Sequence, residues 1–313
     1  MPFSRSGARI THVSLGTTEP AVHTWRPWIV AARPPTLWAA VAPVLVGSSL
    51  AEHDGVFSWS AFVAIMAAAL LIQIGVNFAN DYSDGVRGAD TPDRIGPTRA
   101  VASGLISPQR MRRGVAVAFG AATLIGIYLT VLAGPVILGV GVISIVAALG
   151  YTGGPVPYGY RGLGELFVFV FFGLVATVGT RFVYDQTAPL DAWLGGVVMG
   201  CLASAILVAN NIRDIETDAA VGKRTLAVML GRTRTRAAYA GLLVSAFVVT
   251  ALGAVTATAP PWTALALLAA PLVVPLVRIV GSVEEGPALI AALKGTARLQ
   301  VIVAGLFSGG ALI

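Results

Sequence analysis

Charge is scarce in this chain. Only 12% of its 313 residues are charged while 56% are apolar, and the mean hydropathy is +0.80; soluble domains carry about 25% charged residues. A water-soluble fold is thereby excluded. Cysteine is nearly absent: the one thiol, Cys201, lies in an apolar run, so neither a disulfide framework nor a cysteine-based zinc site can be built. His12, His23 and His53 are scattered, which argues against haem or zinc ligation. A net charge of +6 would suggest nucleic acid in a soluble protein. In a membrane protein cationic cytoplasmic loops produce the same excess, so no nucleic-acid partner is expected.

What is abundant is apolar sequence in long stretches. A membrane-crossing helix needs about 20 mostly apolar residues, and nine stretches approach that length: Trp28 to Leu50, Phe57 to Asn77, Val115 to Leu132, Val136 to Tyr151, Leu163 to Phe182, Trp193 to Asn210, Ala237 to Ala257, Trp262 to Val280 and Ala297 to Ile313. The N-terminal region holds Arg5 and Arg9 but no apolar core. It therefore reads as a cytoplasmic tail over residues 1–27 and not as a signal peptide. Nine crossings starting inside put every Lys and Arg except Arg181 on the cytoplasmic side, as the positive-inside rule requires. The expected fold is an all-α membrane protein, a bundle of nine transmembrane helices over residues 28–313 with two Asp-rich cytoplasmic loops. The lipid bilayer is its partner and the plasma membrane its expected location, with the N-terminus and both loops cytoplasmic.

The connections after the second and sixth spans are long and rich in charge, and such loops usually carry function. Superposing Asn77 on Asn210 also superposes Asp81 on Asp214, both at an offset of 133 residues. Each segment then reaches a basic stretch, Thr98-Arg99-Ala100-Val101 in one and Lys223-Arg224-Thr225-Leu226 in the other. This reads as a weak internal repeat. Asp81 and Asp84 are three residues apart, Asp214 and Asp218 four, so helical geometry is expected to put each pair on one face. Both pairs sit near the C-terminal end of a membrane helix, where the backbone dipole disfavours negative charge. A compensating cation is required, and the donors on hand are oxygens of Asp and Asn. Oxygen-only ligation selects a hard ion, Mg²⁺ before Zn²⁺. Four carboxylates and a diphosphate carry about −7, two Mg²⁺ return about +4, and Arg99, Lys223 and Arg224 supply roughly the remaining +3. Asp90, Asp93 and Glu216 read equally well as ordinary solvated charges.

At these residues the sequence resembles the UbiA-type family of intramembrane aromatic prenyltransferases, whose two aspartate-rich loops follow the second and sixth of nine helices. The match is carried by Asn77, Asp81 and Asp84, then Asn210, Asp214 and Asp218. Four segments look most like the branch that prenylates 1,4-dihydroxy-2-naphthoate in menaquinone biosynthesis: ARPPTLWAAVAPVLVG from Ala32, NDYSDGVRGAD from Asn80, YTGGPVPYGYRGLGE from Tyr151, and NNIRDIETDAAVGKRTLAVMLG from Asn210. Pro35 departs from the pattern, since relatives more often have a basic or polar residue there. The resemblance implies Mg²⁺ on Asp81, Asp84, Asp214 and Asp218, with Lys223 joining them in catalysis. It also implies substrate-binding roles for Asn77, Asn80, Arg99, Tyr151, Arg161, Asn210, Asn211 and Arg224. The implied reaction takes a polyprenyl diphosphate and 1,4-dihydroxy-2-naphthoate to demethylmenaquinone with loss of the ring carboxylate. Two alternatives stay open, a sibling enzyme with an acceptor such as 4-hydroxybenzoate and a membrane transporter, although the helix centres are nearly free of the ionisable groups a carrier uses.

Smaller features have competing readings. Arg33, inside the first apolar run, either meets a partner in a cavity or snorkels to the interface. Arg161 is a candidate for the acceptor carboxylate or the diphosphate, or else a simple interfacial anchor, and Glu165 is one helical turn away as a possible ion-pair partner. Phe167, Phe169, Phe171 and Phe172 either line a prenyl channel or pack ordinarily, the latter being the better expectation. Gly196 and Gly200 form a small-xxx-small pattern for close helix contact. Trp25, Trp28, Trp59, Trp193 and Trp262 mark predicted span ends.

Overall fold

The computed structural model of the chain describes residues 25–89, 96, 98–282 and 286–313. The expected cytoplasmic tail lies outside the described residues except for its last three, as do Asp90, Asp93 and Arg94. Among the described residues every regular element is helical.

The first expected span is broken. A short helix α1 (Arg26–Ala32) and α2 (Pro34–His53) meet at Arg33, which has φ 51°. Pro34 causes the break, since it disfavours the helical region for the residue before it while suiting the first position of the next helix. Next come α3 (Trp59–Arg87), α4 (Pro108–Ala133) and α5 (Pro135–Gly150). Gly134 and Pro135 separate the last two, as expected. A further span runs from α6 (Gly164–Val168) through a π-helical stretch, Phe169–Val175, into α7 (Ala176–Asp185). Then follow α8 (Leu190–Arg213), a short α9 (Ile215–Ala220) and α10 (Leu226–Val255). A 3₁₀ stretch, Pro261–Leu272, continues into α11 (Val273–Ser282), and α12 (Gly286–Ala311) is the last helix.

One expectation is met in part and one needs correction. Eight of these segments are long and apolar enough to cross a membrane. The fourth expected span, α5, has 16 residues and is about 24 Å long at 1.5 Å per residue, short of the roughly 30 Å hydrocarbon core. The first acid pair is also not in a loop. No helix breaker interrupts α3 before Gly88, whose φ of 68° ends the helix in the left-handed conformation that glycine adopts freely. Asp81 and Asp84 therefore lie on its last two turns.

Helix α8 is the hub of the largest core cluster. Met199, Leu202 and Ile212 meet Val46 and Leu50 of α2, Tyr239 and Leu243 of α10, and Leu299 and Phe307 of α12. Gly196 and Gly200 do what their spacing suggested: a Cβ placed on the facing Gly173 of the π stretch would lie 2.4 Å from Gly200 Cα. Backbones in a bilayer gain dispersion contact from such approach. Val117, Leu124, Val131, Val142, Ile143 and Val146 on α4 and α5 are exposed, an apolar face suited to lipid. At the end of the bundle remote from the aspartates, Arg181 binds Asp54 and Asp185, both at 2.6 Å. The one basic residue that the expected topology leaves off the cytoplasmic side thus has two acidic partners.

Candidate active site

The two faces of the α3 C-terminal end have separate tasks. Asn77 and Asp81, one turn apart, look toward α1 and the segment before α4. The Asn77 amide donates to the Ala32 carbonyl (2.8 Å) and to Thr36 Oγ1 (2.9 Å). Asp81 is fully buried, and its two carboxylate oxygens accept from the backbone N–H groups of Ala100 and Val101, each at 2.9 Å. Gly85 allows this docking: a Cβ there would lie 2.7 Å from Val101 Cγ1. Asp81 thus fastens the Arg99–Val101 turn to the bundle.

Asn80, Asp84 and Arg87, at helical spacings of four and three, share the other face. Asn80 accepts from Thr152 Oγ1 at 2.8 Å. Arg87 donates to the carbonyls of Thr152 (2.6 Å) and Gly154, anchoring the loop that follows α5. Asp84 accepts a 2.6 Å hydrogen bond from the Tyr160 hydroxyl. Its other oxygen lies 3.5 Å from Lys223 Nζ and 3.7 Å from Arg99 Nη2. Lys223 Nζ is in turn 3.9 Å from Asp218 and 4.6 Å from the centre of the Tyr160 ring. Burial, then the bonded Asp84 carboxylate, push the Tyr160 hydroxyl well above its ordinary pKa against the opposing pull of Arg87. It therefore acts as a neutral donor.

The second acid pair is built differently. Helix α8 stops at Arg213, and Asp214 sits at the break before α9. The Arg213 guanidinium holds both Asp214 oxygens, at 2.7 and 2.6 Å, and also donates to the side-chain amide oxygen Oδ1 of Asn210 at 2.9 Å. Asn211 donates to Glu165 Oε1 at 2.8 Å. The turn after α9 brings Lys223 back toward Asp84 and is pinned by the Arg224 N–H, which donates to the Tyr160 carbonyl at 2.9 Å.

The structure thus brings together Asp84, Asp218, Lys223, Arg99 and Tyr160, while Asp81 and Asp214 are engaged by other donors. Among the described residues no group of three or more acidic, His or Cys side chains is close enough to share one ion. This differs from a single four-aspartate cluster because three residues turn a helix through about 300°, so Asp81 and Asp84 diverge. A cation does stand between the two acid pairs: Lys223 lies between Asp84 and Asp218, and oxygen ligands around that point suit a hard divalent ion. Arg161 and Arg224 are exposed. Arg161 does not pair with Glu165, whose bonded oxygen is taken by Asn211. Glu216, read as an ordinary charge, pairs with Arg232 at 2.5 Å. Sequence reasoning missed the roles of Arg87, Thr152 and Arg213; the spacing of Asn80, Asp84 and Arg87 was the available signal for the first.

Beside this cluster, a cavity of about 390 Å³ runs into the bundle among α2, α3, α4, α5 and α7. Asn77, Asn80 and Tyr151 line its polar end, and Ile65, Leu129 and Ile137 represent its apolar remainder. Phe167, Phe171 and Phe172 line it too, against the expectation of ordinary packing, whereas Phe169 packs on Gly200 and the core. Tyr158 stacks on Phe167 with ring centres 3.9 Å apart and donates to the Ala147 carbonyl.

A helical membrane bundle with a charged cluster over a buried apolar cavity defines an intramembrane enzyme for a substrate with a polar head and a hydrocarbon tail. The chain belongs to the UbiA prenyltransferase family, whose model matches residues 40–292. It is 46% identical over 290 residues to the 1,4-dihydroxy-2-naphthoate octaprenyltransferase of Mycobacterium tuberculosis, covering 91% of this chain and 96% of that one. Its fold is similar to the apo structure of a UbiA homolog from Aeropyrum pernix K1, with a TM-score of 0.70, 16% identity and coverage of 88% of this chain and 97% of that one. It is also similar to a UbiA homolog from Archaeoglobus fulgidus bound to DMAPP and Mg²⁺, with a TM-score of 0.57, 14% identity and coverage of 90% and 99%.

Proposed function

We propose that the protein transfers a polyprenyl group from an allylic polyprenyl diphosphate to 1,4-dihydroxy-2-naphthoate, with loss of the ring carboxylate, forming demethylmenaquinone at the quinol level in menaquinone biosynthesis. The observation that carries the reading is the apolar cavity whose polar end, at Asn80, lies one helical turn from Asp84. A prenyl tail fits the cavity, and a diphosphate fits the end where Lys223 and Arg99 converge. The acceptor is assigned from the naphthoate prenyltransferase of Mycobacterium tuberculosis, which the chain matches over nearly its whole length.

In this reading Lys223 and Arg99 bind diphosphate oxygens, and both are charge-assisted donors in a half-buried setting. Tyr160 orients Asp84, and Arg87 holds the Thr152–Gly154 turn over the acceptor. Phe167, Phe171 and Phe172 keep water from the allylic carbon and present ring faces to the positive charge that develops there. Asp84 and Asp218 would hold the divalent metal, Mg²⁺ by donor chemistry. Such an ion, when bound, stabilises the charge that builds on the departing diphosphate. Asp81 and Asp214 reach it only after exchanging their present donors. The α5 helix serves as a ninth crossing, which sets the acid-bearing end, with the N-terminal residues, at the cytoplasmic face of the plasma membrane.

The test offers purified protein a long prenyl diphosphate with 1,4-dihydroxy-2-naphthoate or 4-hydroxybenzoate, and identifies products by mass spectrometry. Carbon dioxide and the prenylated naphthoquinol are expected from the first, and little or nothing from the second. Efficient prenylation of 4-hydroxybenzoate with its carboxylate retained would reassign the acceptor and leave prenyl transfer standing.

A further inference from the structure

Glycine has two different uses inside this bundle. At Gly75 and Gly173 it brings neighbours close: a Cβ on the first would lie 2.8 Å from the Phe119 ring, and on the second 2.4 Å from Gly200 Cα. Gly126 of α4, Gly141 of α5 and Gly179 of α7 bring nothing close. A Cβ on any of these three would meet no neighbouring atom of the described residues within 4 Å, and all three line the cavity. A glycine inside a helix lowers its stability relative to alanine, and here no close packing offsets that loss. What the three positions preserve is open space along the walls of one cavity. Gly120, also on α4, has open space around it as well, but it is exposed and does not line the cavity.

The depth of Gly126 follows from the helix register. Gly114 meets Phe78 and Phe119 meets Gly75, so α4 runs antiparallel to α3. Asn80, at the polar end of the cavity, is five residues from Gly75 in one direction, and Gly126 is seven residues from Phe119 in the other. At 1.5 Å per residue the two levels are roughly 18 Å apart. Gly179 has a comparable depth, twelve residues beyond Phe167, which stacks on Tyr158 beside Tyr151 at the polar end. Leu129 and Val183 continue the lining past both glycines. An extended isoprene unit has four carbon–carbon bonds and spans about 5 Å. With the allylic carbon level with Asn80, the fourth unit of a tail is the one that passes Gly126.

We propose that Gly126 determines which donor lengths the cavity accepts, by leaving room for the fourth isoprene unit, with Gly179 clearing another wall at the same level. This rests on the prenyl-donor reading above and is independent of the aromatic acceptor. Tails of two or three units end before Gly126 and do not depend on it. Tails of four units or more must pass it, and a side chain built there would fill the space the tail needs. Because the tail carries no polar group, shape is the only means by which this part of the protein distinguishes one donor from another.

The test measures binding of prenyl diphosphates of two, three, four and eight units to the full-length protein in phospholipid nanodiscs, without acceptor. For each length the Kd of a variant is divided by that of the wild type, which cancels partition of the tail into lipid. Gly126→Phe is expected to leave the two-unit donor within about twofold and to weaken the four- and eight-unit donors at least about tenfold, the scale on which a filled apolar pocket discriminates. Gly120→Phe, on the lipid side of the same helix, should leave every ratio near one. If Gly126→Phe lowers the unfolding temperature of the ligand-free protein, Gly179→Leu is read by the same length criterion. Unchanged binding of the four-unit donor, an equal loss at all lengths, or the same pattern from Gly120→Phe would overturn the proposal. Failure of the prenyl-donor reading looks different: the wild type then binds no prenyl diphosphate of any length.

Discussion

The acid-bearing ends of α3 and α8 share a sequence pattern and differ in construction. On α3 the helix runs unbroken past both aspartates, so its carboxylates point around a rigid cylinder in two directions, Asp81 to the Ala100 and Val101 amides and Asp84 to Tyr160 and Lys223. On α8 the helix ends at Arg213, whose guanidinium grips Asp214, and the chain turns through α9 to return Lys223 to the first half. Asn77 and Asn210 occupy matching places, yet the former ties α3 to α1 and α2 while the latter stays within its own turn. A repeated motif therefore fixes where the two acids begin, and the local course of the helix decides which oxygen faces the site. One half acts as a fixed wall, the other as a returning arm.

The largest expected effect comes from Asp84, where the two halves meet. Asp84→Ala should lower kcat/KM at least about 100-fold, by removing the acceptor for Tyr160 and the counter-charge for Lys223 and Arg99. Excess chelator should abolish turnover, and full activity in chelator would end the metal assignment. Lys223→Ala should follow, raising donor KM or lowering kcat roughly 10–100-fold, because its ammonium bridges Asp84 and Asp218. Arg224→Ala should change donor KM less than about threefold, since its side chain is exposed; equal losses at both positions would erase the distinction between bridge and neighbour.

Asp81→Ala should act first on stability. Two buried N–H groups lose their acceptor, at about 1–3 kcal/mol each, and thermal unfolding should fall while the Arg99–Val101 turn becomes open to proteolysis. Asp81→Asn, which keeps one acceptor oxygen, should recover part of the loss. A smaller effect belongs to Tyr160→Phe, expected to cost roughly 3–10-fold in kcat. Because burial and Asp84 hold the hydroxyl neutral far above its ordinary pKa, ionisation of this group should add no alkaline limb below about pH 10 to the wild-type profile. A limb present in wild type and absent from Tyr160→Phe would show the phenol ionising.

Much of this architecture was legible in order and composition. Apolar length marked the spans, Gly134-Pro135 marked the break before α5, and the partition of Lys and Arg isolated Arg181, which has acidic partners of its own. Hydropathy alone was silent on Arg33, where Pro34 splits the first span, and it set the end of α3 too early because a helix can continue beyond its apolar segment. The spacing of Asp81 and Asp84 suggested a common face, but an angular difference of about 60° suffices to send two short side chains to different partners.

The sequence by itself determined what must be buried and what must be charged: a 56% apolar chain has to leave water, and acids beside a helix C-terminus have to find cations or hydrogen-bond donors. Periodicity and composition are one-dimensional, so those requirements can be read along the chain. Only the tertiary structure decided which donor meets which acid. Lys223 reaches Asp84 across more than a hundred residues, Arg213 takes Asp214, and backbone amides take Asp81, because hydrogen-bond partners are assigned by distances of about 3 Å that depend on how α3, α8 and the turns carrying Arg99 and Lys223 pack.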